Sequence, residues 1–404
     1  MNADQSRANA FRLVRLAIGG GTFWLLFAGY FLYHFLLARD LIPELFGGMF
    51  GPVLAASLPF TLWGTFLASR NLPGIFSNGV AVWVSATVLW ASFWLAIHFA
   101  QAPDNVAHAQ VGITIVLWLG MLALCFNIPV YSPLFNKILL GSWALIAFLA
   151  MAFVDASTLM TETMMDEDAA SYQGLARGLM VVGTFVLCVQ RNIISRIGIA
   201  AVTIAALFAI GARSELYGFI AGYGVVEAII NRRSLLAQFV LAVVVMLTAW
   251  LVLQNLDYLS TSRQLQILDL SQSSSWVARE YMLIHAQNQV LENPLFGIYG
   301  GHWELGEGDY AHNALSAWVS FGFPGFLLYV VTIIVATAVA LVALLKNPTS
   351  RLAMLATLIN VSNVLLVAVA KPVFWEMPAL GWGLAILVIQ EMRVATSVAS
   401  ARTP

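Results

Sequence analysis

Charge is scarce in this chain: Asp, Glu, Lys and Arg make up 10% of its 404 residues, against about 25% in soluble domains. That scarcity excludes an ordinary water-exposed surface. With 60% apolar residues and a mean hydropathy of +0.85, the composition predicts an integral membrane protein. Cysteine is nearly absent too. Cys125 and Cys188 both lie in apolar runs, so neither a disulfide framework nor a zinc-binding spacing can be built from them. The net charge of −1 gives no basic field of the kind nucleic acid attracts. The first apolar run is too long for a cleaved signal and has no small-residue cleavage pattern, which predicts a retained helix.

What the chain does have is long apolar stretches. A helix needs about 20 such residues to cross the hydrocarbon core of a bilayer. Twelve segments qualify as candidate spans: 17–37, 50–68, 77–99, 110–126, 138–154, 174–190, 197–212, 216–230, 235–253, 313–345, 351–369 and 378–392. The fold expected is therefore an all-α polytopic membrane protein. Spans one to nine fill 1–253, an extracytoplasmic loop occupies 254–318, and the last three spans fill 319–404. The run 313–345 is too long for one straight crossing, and Gly322, Pro324 and Gly325 predict a break in it.

Lys and Arg near span ends are retained in the cytoplasm, so charge predicts orientation. With the amino terminus inside, Arg7, Arg12, Arg15, Arg70, Lys137, Arg191, Arg196, Arg232, Arg233, Lys346, Arg351, Arg393 and Arg402 all fall inside. Of the 20 acids, only Asp4, Glu227 and Glu391 do. Both termini are then cytoplasmic. Six basic residues remain outside, against the rule: Arg39, Arg177, Arg213, Arg263, Arg279 and Lys371. Arg39 beside Asp40 and Glu44, and Lys371 near Glu376, read as interfacial ion pairs. Arg177 reads as a snorkelling side chain at a span mouth. Arg213 sits in a tight Gly211-Ala212-Arg213-Ser214-Glu215 corner between apolar segments, where an ionisable group faces a cavity or a partner. Its bland reading is an internal pair with Glu215.

The stretch from Gln254 to Gly325 is the one a bilayer accepts least. Ser275 to Leu291 has helical periodicity, with Trp276, Arg279, Met282, Ala286 and Val290 on one stripe, so Arg279 points toward the protein. Asn293-Pro294 ends that helix. A glycine-rich crossing with Tyr299, Trp303 and Tyr310 follows, reading either as a lid over a site or as an interfacial aromatic belt. His312 then stands where the loop re-enters the apolar phase, with His285 and His302 as competitors. A partly desolvated imidazole suits proton abstraction from a hydroxyl. Two arginines suit a diphosphate, which they hold by forked hydrogen bonds without a metal. Asp166-Glu167-Asp168 is the alternative, a divalent-cation site, although such a run reads more simply as solvated surface.

Taken in order, Arg213-Ser214, Arg279, Asn293-Pro294-Leu295-Phe296-Gly297, Gly300-Gly301, His312-Asn313 and Gly322-x-x-Gly325 resemble the O-antigen ligase / O-antigen polymerase superfamily. The motifs cover roughly 200–330 and the topology covers the whole chain. The resemblance implies a twelve-span, GT-C-like, metal-independent inverting glycosyltransferase of the bacterial inner membrane that needs no cofactor. Its donor would be an undecaprenyl-diphosphate-linked oligosaccharide and its acceptor a glycan or lipid-linked glycan. Membrane lipid is an implied partner, as is a chain-length regulator protein; nucleic acid is not. By the same resemblance Arg213 and Arg279 hold the diphosphate and His312 is the base. Asn313, Tyr310, Trp303 and Arg263 are the further substrate-binding candidates. The family carries an acidic residue shortly before the glycine matching Gly322, where this chain has Ser320-Phe321. The stretch from His312 to Gly322 is also one residue shorter than the family's, and both departures touch helix packing beyond the site.

From Gln254 to His312 two arginines face seven acids (Asp257, Asp269, Glu280, Glu292, Glu304, Glu307 and Asp309). Such a surface repels a phosphorylated lipid A-core acceptor, which favours a repeat-unit polymerase over a ligase. A transporter or flippase is the rival of another class. It would place charge at mid-membrane and show an internal repeat, and neither is visible here.

Overall fold

The structure, a computed structural model, describes residues 16–43, 50–71, 78–102, 104–154, 172–234, 238–239, 246, 274–306 and 310–400. Within them the chain is all-helical. In order the helices are α1 (Leu16–Leu37), α2 (Phe50–Asn71), α3 (Gly79–Gln101), α4 (Ala107–Asn127), α5 (Pro133–Phe153) and α6 (Tyr172–Val189). They continue with α7 (Ile193–Ile210), α8 (Arg213–Ile230), α9 (Ser274–Glu292), α10 (Leu315–Lys346), α11 (Arg351–Val369) and α12 (Met377–Ser400). Among the described residues nine helices are long and apolar enough to cross a membrane: α1 to α7, α10 and α11. The protein is therefore a multi-pass membrane protein. The segments expected at 216–230 and 378–392 are helical as α8 and α12, while the span expected at 235–253 lies almost wholly outside the described residues.

Helix starts follow local chemistry. Asn78, Ser132, Asn192 and Ser350 each accept a hydrogen bond from a backbone N–H in the first turn of α3, α5, α7 and α11, satisfying donors that the helix itself leaves open. Gly211 ends α7 in the left-handed region (φ 84°). This turn is what throws Arg213 to the very start of α8.

Packing depends on close backbone approach, since apolar burial alone does not distinguish a neighbouring helix from lipid. α8 lies against α11 through Gly218 and Gly222. Ser362 Oγ donates to the Gly218 carbonyl at 2.7 Å, and a Cβ on Gly222 would stand 2.7 Å from the Leu358 carbonyl oxygen. Trp118, Tyr329 and Trp382 form an aromatic centre joining α4, α10 and α12, all three fully buried.

The break expected in the long tenth helix is present. Gly322 leaves helical geometry at φ 68° and ψ 177°, and Trp90 Nε1 donates to the freed Phe321 carbonyl at 2.9 Å. Into this kink docks the segment after α9. Phe323 N donates to Leu295 O at 3.0 Å and Trp318 Nε1 to Pro294 O at 2.7 Å. Gly297, also left-handed at φ 67°, lies so close to Trp318 and Val319 that a Cβ would meet both carbonyl oxygens at 2.4 Å. The end of α9 is thus locked to the start of α10.

Candidate active site

The site is built where three loops meet at one end of the bundle. α9 runs over it as expected, and Ala286 and Val290 bury their side chains against Ala311 and Val319. Arg279, two turns earlier, is half-buried. His312-Asn313-Ala314 leads into α10 and is fixed on both sides. Ala314 N donates to Val367 O at 2.8 Å, while Ser316 Oγ donates to Asn313 O and accepts from Val373 N, both at 2.7 Å. The side-chain carbonyl of Asn313 accepts from Leu315 N at 2.9 Å. Asn313 therefore shapes the start of α10, in addition to standing beside His312.

His312 is half-buried, and its Nδ1 is buried with no hydrogen-bond partner among the described residues. Burial first, and then the nearby charges of Arg279 and Lys371, together lower its pKa to about 4. The imidazole is consequently neutral at pH 7 and can accept a proton. Tyr310 packs on it edge to face at 5.2 Å between centroids. Phe374, from the loop joining α11 and α12, closes the box by touching both Tyr310 and His302.

Three of the basic residues set against the rule have partners other than those expected, and Lys371 is the first. Its Nζ lies 2.6 Å from Glu215 Oε1 and donates to Gln173 Oε1 at 3.0 Å, so its partner is Glu215 and not Glu376. Glu376 instead pairs with Arg177, whose guanidinium also lies over the Phe50 and Tyr30 rings at 4.1 and 4.8 Å. Arg177 is therefore buried in an ion pair and an aromatic cradle; it does not snorkel. The Glu215 carboxylate also accepts from Ser214 Oγ at 2.6 Å. These bonds tie the Arg213 corner to Lys371 and thus to His312. Arg213 itself lies within electrostatic reach of Tyr217. Arg39, expected to pair with its neighbouring acids, reaches the Phe153 carbonyl at the end of α5.

The structure thus gathers Arg279, Lys371 and His312, with Arg213 at the same end of the bundle. The competing histidines have other employment. His302 Nε2 donates to Gln110 Oε1 at 2.6 Å, and burial lowers its pKa to about 4. His285 accepts from Gln289 Nε2 at 2.9 Å and stands 3.7 Å from Glu304. Tyr299 stacks on His98 at 4.2 Å and bonds His108 Nδ1 at 2.9 Å, which makes it a packing residue. Trp303 lies on the short 3-10 turn Gly301–Glu304, partly exposed, its indole N–H buried without a partner among the described residues. Arg263 and Asp166-Glu167-Asp168 lie outside the described residues. No protein-family model matches this chain, and no curated protein matches it.

Proposed function

We propose that this protein is a membrane glycosyltransferase of GT-C-like, twelve-span architecture. It transfers an undecaprenyl-diphosphate-linked glycan to a sugar hydroxyl on the extracytoplasmic face of the bacterial inner membrane. The observation that carries the reading is a neutral, partly buried His312 next to two cations, Arg279 and Lys371. A base beside fixed positive charge is what displacement of a diphosphate requires: the base takes the acceptor proton while the cations hold the leaving group. In the reaction, the acceptor oxygen attacks the anomeric carbon, the bond to the diphosphate oxygen breaks with inversion, and His312 receives the hydroxyl proton. Arg213 and Arg279 neutralise the departing lipid diphosphate. Trp303 and Tyr310 face the sugars.

Repeat-unit polymerase is the branch the acidic loop sequence favours, with O-antigen ligase as the alternative. The transporter reading is weakened by where buried charge lies. Arg177–Glu376 and Lys371–Glu215 sit at the site end and Arg196–Glu227 at the opposite end, whereas transport pathways place ionisable groups near the midplane.

The test is complementation of a deletion strain with His312→Ala, scored by the gel profile of surface glycan at matched membrane levels, with His285→Ala as control. Loss of long glycan in His312→Ala alone supports the reading. A single repeat on the acceptor then marks a polymerase, and bare acceptor with accumulating lipid-linked polymer marks a ligase. A normal profile in His312→Ala sinks the enzyme reading.

A further inference from the structure

The opposite end of the bundle carries a second arrangement that glycosyl transfer does not use. A cavity of about 430 Å³ opens among the end of α6, the start of α7, the end of α8 and the start of α11, lined by Arg191, Arg196 and Arg351. A second space of about 280 Å³ shares its wall at Gln190 and Arg351 and runs between α5 and α6. Its lining joins Lys137 and Arg351 to the apolar Leu140, Val186 and Val189.

The charges here are not mutually cancelled. Arg196 is buried and bound by two bonds, 2.6 and 2.9 Å, to Glu227, which also accepts from Asn231. Glu391, the other acid at this end, accepts from Tyr131 and Ser350. Among the described residues, none of Lys137, Arg191 and Arg351 forms an ion pair. The first turns of α7 and α11 lie at the cavity, at Ile193 and Arg351, and their positive dipole ends add to the cationic field. A general tendency to hold basic residues on one membrane face explains their side, but not their convergence on a cavity that shares a wall with a partly apolar crevice.

We propose that this is a binding site for an anionic phospholipid of the adjoining leaflet. The headgroup phosphate sits among Arg191, Arg351 and Lys137, and an acyl chain lies in the crevice between α5 and α6 against Leu140 and Val186. Basic pockets between membrane helices with an apolar extension are matched to such lipids by charge and shape. The site is independent of the glycan chemistry at the other end.

The experiment is native mass spectrometry of the full chain in detergent, titrated with cardiolipin or with phosphatidylcholine of matched chains, with inorganic pyrophosphate as competitor. Wild type is expected to retain cardiolipin in preference to phosphatidylcholine. The Arg191→Gln/Arg351→Gln double variant is expected to retain it about thirtyfold more weakly, each charge contributing about fivefold. Lys346→Gln, an exposed basic residue at the same end and outside the cavity, is expected to behave as wild type. Leu140→Trp fills the crevice from the lipid-facing side of α5 and keeps every charge; it is expected to weaken retention, and it decides the matter if the double variant does not fold. Equal retention of the neutral lipid overturns the proposal, as does undiminished binding in the folded double variant or in Leu140→Trp. A loss in Lys346→Gln as large as in the double variant reduces it to diffuse attraction. Displacement of cardiolipin by pyrophosphate at comparable concentration makes it a soluble-anion site instead.

Discussion

His312 and Lys371 form a pair of opposed demands on one imidazole. Desolvation and two neighbouring cations hold its pKa at about 4, so the ring is proton-free at working pH but a weak base until the cations are neutralised. In the proposed reaction an incoming diphosphate would supply that neutralisation and raise the pKa of His312 as the proton is taken. In His312→Ala, transfer is expected to fall by about 10²- to 10⁴-fold, measured with lipid-linked donor in detergent. The free enzyme's kcat/KM is expected to stay flat down to pH 5 and to drop as His312 protonates through about 4. Lys371→Gln removes one of the charges that depress the pKa, so its acid limb is expected to move to higher pH. An unmoved limb shows that Lys371 acts on Glu215 alone. The placement of His312 before α10 and of Arg279 on the inward stripe of α9 was legible in the sequence, one from the re-entry of the loop and the other from helical periodicity. The Lys371–Glu215 pair was not, because its members lie far apart in the chain and Lys371 has a nearer acid, Glu376, as decoy.

The interlock of the segment after α9 with the kink of α10 determines whether those side chains meet. Gly297 and Gly322 each sit at positive φ with carbonyl oxygens of the other segment against the place of a Cβ. Gly322→Ala therefore combines backbone strain with a clash at Leu295 O. It is expected to cost about 1–3 kcal/mol, read as a lowered denaturation midpoint in detergent, and to release Arg279 from His312. Gly141→Ala, in the middle of α5 with open space around it, is expected to be neutral or slightly stabilising. If both variants melt alike, the interlock does not hold the site. The break itself was legible, since Gly-x-Pro-Gly cannot continue a helix. What fills it was not, because a turn sequence states that the chain bends and says nothing of which distant carbonyl comes to rest there. The same limit applied to Asn313, whose side chain is engaged by the backbone of α10.

Across the whole molecule, the charge pattern and the helix ends together predict which face meets which compartment. Lys137, Arg191, Arg196 and Arg351 lie in or beside the junctions that join α4 to α5, α6 to α7 and α10 to α11, and Arg213, His312 and Lys371 lie in or beside those at the other end. The positive-inside bias then predicts that His312 lies outside, where the proposed donor, a lipid-linked glycan already moved across the membrane, would be found. This is testable without activity, because the native cysteines are buried at 0% and 3% exposure and give little background. Leu291→Cys, at the site end on an exposed position (77%), is expected to react with a membrane-impermeant maleimide added to spheroplasts. Asn347→Cys, at the other end just after α10, is expected to react only after the membrane is disrupted. The reverse pattern would turn the site to the cytoplasm, exclude a glycan polymerised after transport, and put thirteen basic residues in place of six outside, against the rule.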